Sequence, residues 1–116
     1  MIKRAETMIR ELKEQMRGGN GTVAITHLFS QDEIGGKARL IAKIELEPGC
    51  SIGFHEHQNE EEIFYIISGQ ATLDDQGDMQ ILNPGDAAIT KGGQSHSLSN
   101  NGDSLLTVMA VILLYC

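Results

Sequence analysis

Apolar side chains in the first seventeen residues fall at Ile2, Met8, Ile9, Leu12 and Met16. Their spacing of about 3.5 residues predicts one face of an amphipathic helix over about Thr7–Met16. Gly18 and Gly19 follow at the place of a helix C-cap. From Thr22 onward the period drops to two and the segments shorten. Strands are predicted at 22–28, 38–46, 51–55, 63–67, 70–73, 79–82, 87–90, 96–100 and 105–114. Between them lie Gly35-Gly36, Pro48-Gly49, Ser68-Gly69, Pro84-Gly85-Asp86, Gly92-Gly93 and Asn101-Gly102, all residues suited to tight turns. No helical period returns and no internal repeat is seen. The expected organisation is an N-terminal helical arm, residues 1–20, docked on the domain or on a partner subunit, and an all-β barrel or sandwich, residues 21–116.

A chain of 116 residues allows one domain, and 41% hydrophobic with 22% charged residues is the make-up of a globular one. Its 13 glycines fit many turns and short strands. The formal charge of −7 comes without any cluster of Lys and Arg beyond the sparse basic residues before position 18. Nucleic-acid and anionic-membrane binding, which need a positive stripe, are excluded on that ground. The longest apolar run, 105–115, falls short of the about 20 residues that a spanning helix needs, and reads as a buried strand. Cys50 and Cys116 form no disulfide framework, and charge begins at Lys3 with no secretory pattern, so a reducing, cytoplasmic setting is expected.

Candidate chemistry sits among the histidines. His55 and His57, two apart, project from one face of an extended strand. Glu62 follows after room for a turn, and His96 comes from a later strand. Converging inside a small barrel, three imidazoles and a carboxylate would make a ligand set for one divalent transition metal. The carboxylate favours manganese or iron, with nickel, zinc and copper also tolerated. Four protein ligands on an octahedral ion leave two positions open. The plainer alternative is that these histidines are hydrogen-bonded core or surface residues; for Glu60 and Glu61 a solvated acidic loop is expected. His27 reads as structural or supporting, Cys50 as a buried or half-buried free thiol, and Asn100 as a turn or supporting residue.

Two gapped patterns resemble the motifs of the cupin superfamily. Gly49, His55, His57, Glu62 and Gly69 stand at the spacing of the first motif. Gly85, Gly93, His96 and Asn100 stand at that of the second, with Lys91 where proline is usual. The resemblance covers residues 49–100 and implies an antiparallel jelly-roll β-barrel (double-stranded β-helix) with metal held by His55, His57, Glu62 and His96. It is similar to small single-domain cupins called oxalate-decarboxylase-like. Oxalate decarboxylases carry an arginine three residues before the first histidine, and here Ile52 occupies that place. Arg39 and Lys43 lie on one face of a strand whose opposite face is Leu40, Ala42, Ile44 and Leu46, so both are expected to point outward or into a subunit contact. The mouth is expected to be lined from among Ile52, Phe54, Phe64, Ile66, Ile89, Leu98 and similar groups, alternation leaving open which of them face inward. The function expected is a metalloenzyme acting on a small oxygenated organic molecule, dioxygenase- or decarboxylase-like; the alternative is a non-catalytic metal or small-ligand binder or sensor. The catalytic and substrate-contacting residues stay unassigned, and a homodimer is expected.

Overall fold

The computed structural model describes all 116 residues. Ten strands form it: β1 (Ile9–Glu14), β2 (Thr22–His27), β3 (Ala38–Leu46), β4 (Ser51–Glu56), β5 (Glu60–Ser68), β6 (Ala71–Asp75), β7 (Asp78–Leu82), β8 (Ala87–Thr90), β9 (Ser95–Ser99) and β10 (Leu106–Leu114). A six-stranded sheet runs β1-β2-β3-β10-β5-β8 and a four-stranded sheet runs β4-β9-β6-β7, every pairing antiparallel. The nine strands read from Thr22 onward are all present, with ends displaced by a few residues. This is the jelly-roll architecture, two sheets closing face to face over one core.

The alternation that marks the strands also builds that core. On β10 the residues Leu106, Val108, Ala110 and Ile112 are buried and their neighbours are only partly so. On β3 the same holds for Ala42, Ile44 and Leu46. All of these but Ile112 meet Val23, Ile25, Ile52, Phe64, Ile66, Leu73 and Leu98 between the sheets. Burying a side chain of this kind contributes about 1.5–3 kcal/mol. Position along the barrel follows from register: Leu46 faces Leu106 at one end, and Leu40 faces Ile112 at the other.

The expected N-terminal helix is absent. Residues 9–14 form an edge strand, in register with β2 from Ile9↔His27 to Glu14↔Thr22. Short 3-10 turns flank it, at Ala5–Thr7 and Met16–Gly18. A helical stripe forms when its apolar face is buried, but Ile2, Ile9 and Leu12 are all exposed, so a helix here would gain little. The unpaired edge of β2 offers a full row of backbone hydrogen bonds instead. Gly18 and Gly19 belong to the reversal from β1 to β2, closed by the Gln15 N–H donating to the Gly21 carbonyl at 2.8 Å.

Candidate metal centre

His55 lies near the end of β4, His57 in the turn after it, Glu62 early in β5 and His96 in β9. Strict alternation along β4 would turn His55 to the opposite face from Ile52. A β-bulge intervenes: Ile52 pairs with Leu98 and His55 with His96, so two residues of β4 oppose one of β9. The extra residue reverses the parity, and Ile52 and His55 both face inward. Gly53 forms the bulge where its backbone packs on the Arg17 carbonyl and leaves no space for a Cβ. Phe54 is thereby turned out, 53% exposed.

The ligand-type atoms of His55, His57, Glu62 and His96 all lie within 4.8 Å of one another. His57 Nε2 and His96 Nε2 are 3.0 Å apart. Glu62 Oε1 is 3.0 Å from the first and 3.1 Å from the second. The three ring centroids stand 4.8–4.9 Å apart. Each imidazole is fixed through its other nitrogen. His55 Nδ1 donates to the Gly53 carbonyl at 2.7 Å, His57 Nδ1 to Glu60 Oε2 at 2.6 Å, and His96 Nδ1 meets Thr90 Oγ1 at 2.7 Å. When Nδ1 carries the only proton, the form that a metal ion would require, every Nε2 presents a lone pair to the same point. Phe64 stacks flat on His96 at 5.1 Å and fixes the plane of its ring. Electron pairs from three rings and a buried carboxylate, aimed at one place, are compatible with binding one metal ion there. The donor set fits one divalent transition ion.

The electrostatics agree with crowding of this kind. Burial pushes His55 below the usual imidazole range, against the pull of its Gly53 bond. His57 is held above that range chiefly by its bond to Glu62, with burial opposing. Burial works to raise Glu62, but the bonds to His57 and His96 outweigh it and keep the carboxyl below its ordinary value.

Two residues expected elsewhere support the cluster. Glu60 is 9% exposed, not part of a solvated loop. Arg39 Nε donates to its Oε1 at 2.7 Å and Arg39 Nη2 to its Oε2 at 2.9 Å, which lowers Glu60 to about 2, with its His57 bond adding to the effect. A turn through Asn59, in the left-handed region at φ +59°, returns the chain so that Glu60 meets His57. Arg39 does not point outward, because β3 also has a bulge: Ile112 pairs with Leu40 and Leu113 with Ala38, which leaves Arg39 unpaired and swung to the inner side. Lys43, on the regular part of β3, does point away and approaches Glu45 at 3.8 Å.

A cavity of about 100 Å³ opens over the cluster, lined by Met16, Arg17, Ile25, Arg39, Leu40, Ile44, Ile52, His55, His57, Glu62 and Ile112. Of the expected mouth residues only Ile52 is among them. Phe64, Ile66 and Leu98 are core residues, and Phe54 and Ile89 face outward. Arg17 and Met16 come from the N-terminal arm, which the motif spacing gives no means of placing. His27 bonds to Glu11 at 2.6 Å between β1 and β2 and so ties the arm down. Cys50 is half-buried and Cys116 exposed, both as free thiols. Asn100 lies at the far end of the barrel, holding a turn.

No helix of the chain is long and apolar enough to cross a membrane. The family profile described as "Cupin domain" matches residues 42–112. An oxalate-binding protein of Thermotoga maritima is 40% identical over 98% of this chain and 94% of its own length. A crystal structure of a predicted oxalate decarboxylase from the same organism superposes with a TM-score of 0.93 at 40% identity, covering 98% of this chain and 99% of the other. A putative sugar phosphate isomerase from Acidithiobacillus ferrooxidans superposes with a TM-score of 0.70 at 30% identity, over 79% of this chain and 59% of that one. Both motifs, the jelly roll that carries them and these likenesses agree that the chain belongs to the cupin domain family.

Proposed function

We propose that His55, His57, Glu62 and His96 hold one divalent transition metal ion, manganese or iron by preference, and that a small oxygenated carboxylate binds to it from the cavity side. The observation that carries this reading is the convergence of three Nε2 atoms and one carboxylate oxygen, with each imidazole locked through Nδ1. When bound, such an ion supplies a Lewis-acid centre with positions left open for an oxygen ligand. Around it the chain supplies a small, largely apolar chamber and two guanidinium groups, Arg17 and Arg39. The apolar walls exclude bulk water and strengthen the attraction for an anion. The oxalate-binding relative supports a ligand of this class.

Binding without turnover is the form of this reading that the cavity favours. Outside the four clustered residues its titratable lining consists of Arg17 and Arg39, neither of which shuttles protons near neutral pH. Glu60, the nearest other carboxylate, is fully engaged by Arg39 and His57. A metalloenzyme of dioxygenase or decarboxylase type is the second reading, supported by the coordination positions that four protein ligands leave open. Tyr65 and Ile67, exposed on the outer side of the six-stranded sheet beside Ile89, support a homodimer.

Calorimetric titration with Mn²⁺ or Fe²⁺ is expected to show one ion per chain. Oxalate added to the loaded protein is expected to bind without consumption or release of carbon dioxide. A wild-type chain that takes up no metal overturns the proposal, and catalytic loss of oxalate moves it to the enzyme reading.

A further inference from the structure

Arg17 stands out from the other charged groups near the cavity. It lines that space beside His55, His57 and Glu62, yet no carboxylate of the chain lies within ion-pair distance of it. Arg39, which lines the same cavity, is neutralised by a two-point pair with Glu60.

Its backbone is unusual as well. Arg17 has φ +54° and ψ +31°, in the left-handed region, where a residue with a Cβ costs about 1 kcal/mol relative to glycine. Gly18 and Gly19 follow directly. A third glycine would adopt this turn without strain, so an arginine here carries a conformational cost. The turn that presents it is firmly seated on β4, the strand that carries His55. The Ser51 N–H donates to the Asn20 carbonyl at 2.8 Å, and the Asn20 N–H donates to Ser51 Oγ at 2.9 Å. Gly19 and Gly53 bring the two backbones together so closely that neither has room for a Cβ. Arg17 is therefore a surface cation anchored in fixed relation to the histidine cluster, not one on a loose tail.

Charge balance gives the class of ligand. Glu62 offsets one charge of a divalent ion, Glu60 offsets Arg39, and Arg17 adds one positive charge. The sum is two positive charges, which a small dianion cancels and a monoanion does not. We propose that Arg17, supplied by the N-terminal arm, is the specificity residue of the site and selects a small dicarboxylate over the corresponding monocarboxylate. This inference rests on the metal-and-carboxylate reading given above.

The test uses the full chain loaded with Mn²⁺ and compares oxalate with oxamate, in which an amide replaces one carboxylate at nearly constant size. Wild type is expected to prefer oxalate by about tenfold or more, the range of one charge-assisted bidentate contact. Arg17→Gln and Arg17→Gly are expected to bring the two affinities within about twofold of each other, and Arg17→Lys to keep part of the preference. Mn²⁺ stoichiometry stays at the wild-type value in all three. Arg17→Gly is also expected to melt no lower than wild type, since it relieves the left-handed backbone, which separates loss of recognition from loss of the arm. An unchanged oxalate-to-oxamate ratio in Arg17→Gln, or no preference in wild type, overturns the role of Arg17 and leaves the metal reading standing. Failure of wild type to bind Mn²⁺ overturns both.

Discussion

Asn100 at one end of the barrel and the His57, His96 and Glu62 group at the other are buried almost equally, at 0% against 3%, 1% and 6% exposed. They differ in what burial leaves over. The Asn100 amide donates to the Leu46 and Ser104 carbonyls, each at 2.8 Å, and its oxygen accepts from the Gly102 N–H at 3.0 Å. Its hydrogen bonds close within the chain and tie β3 to the turn before β10. At the other end the bonds to Gly53, Glu60 and Thr90 use one side of each imidazole, and the remaining electron pairs converge. A buried polar residue thus marks a binding site only where its bonding capacity is left pointing at a common place.

The largest expected effect separates the two ends outright. His57→Ala removes one of the four clustered groups and is expected to weaken Mn²⁺ binding by more than about a hundredfold, beyond the usual cost of disturbing a supporting residue. The fold should persist, because the substitution leaves the hydrophobic core cluster whole. Titration calorimetry together with far-UV circular dichroism reads both quantities. Wild-type affinity in this variant would show that the assigned set of residues is wrong.

Asn100→Ala is the converse. It strands the carbonyls of Leu46 and Ser104 and the N–H of Gly102, and is expected to cost about 2–4 kcal/mol of folding stability. Below its melting transition the variant should still bind one metal ion with affinity near that of wild type. Denaturant unfolding and metal titration of the same sample check the pair of outcomes. A large fall in metal affinity in the folded variant would mean that the two ends are coupled and that the contrast drawn between them is false.

Legibility in the sequence follows the regularity of the backbone. The strands from Thr22 onward and the four clustered residues could be read because turn residues and motif spacing are local signals. Alternation misplaces Arg39 and leaves the side of Phe54 open for one physical reason: a bulge adds a residue to one strand alone and reverses the faces beyond it, with only Gly53 as a hint on β4. The arm is not legible because Ile9 and Leu12 suit the period of a helix, while the deciding factor is the unpaired edge of β2, formed by residues distant in the chain. Glu60 looked solvated within Glu60-Glu61-Glu62 because its partner, Arg39, lies 21 residues away on the bulged segment.

That pair gives the smallest of the expected effects and sharpens the contrast most. Glu60 accepts from Arg39 Nε, Arg39 Nη2 and His57 Nδ1 at once, using both oxygens. Glu60→Gln keeps the shape but has one acceptor oxygen, and it sets an N–H₂ group against a donor. Either the guanidinium or the imidazole then loses its partner. If His57 loses it, the ring is free to change tautomer or turn, and its Nε2 no longer aims reliably at the cluster. Metal affinity is expected to fall by about ten- to a hundredfold, less than in His57→Ala, with stoichiometry kept at one. Combining the two substitutions should cost no more than His57→Ala alone, because Glu60 acts on the metal only through that ring. Additive losses in the double variant would show instead that Glu60 touches the ion or its ligand directly.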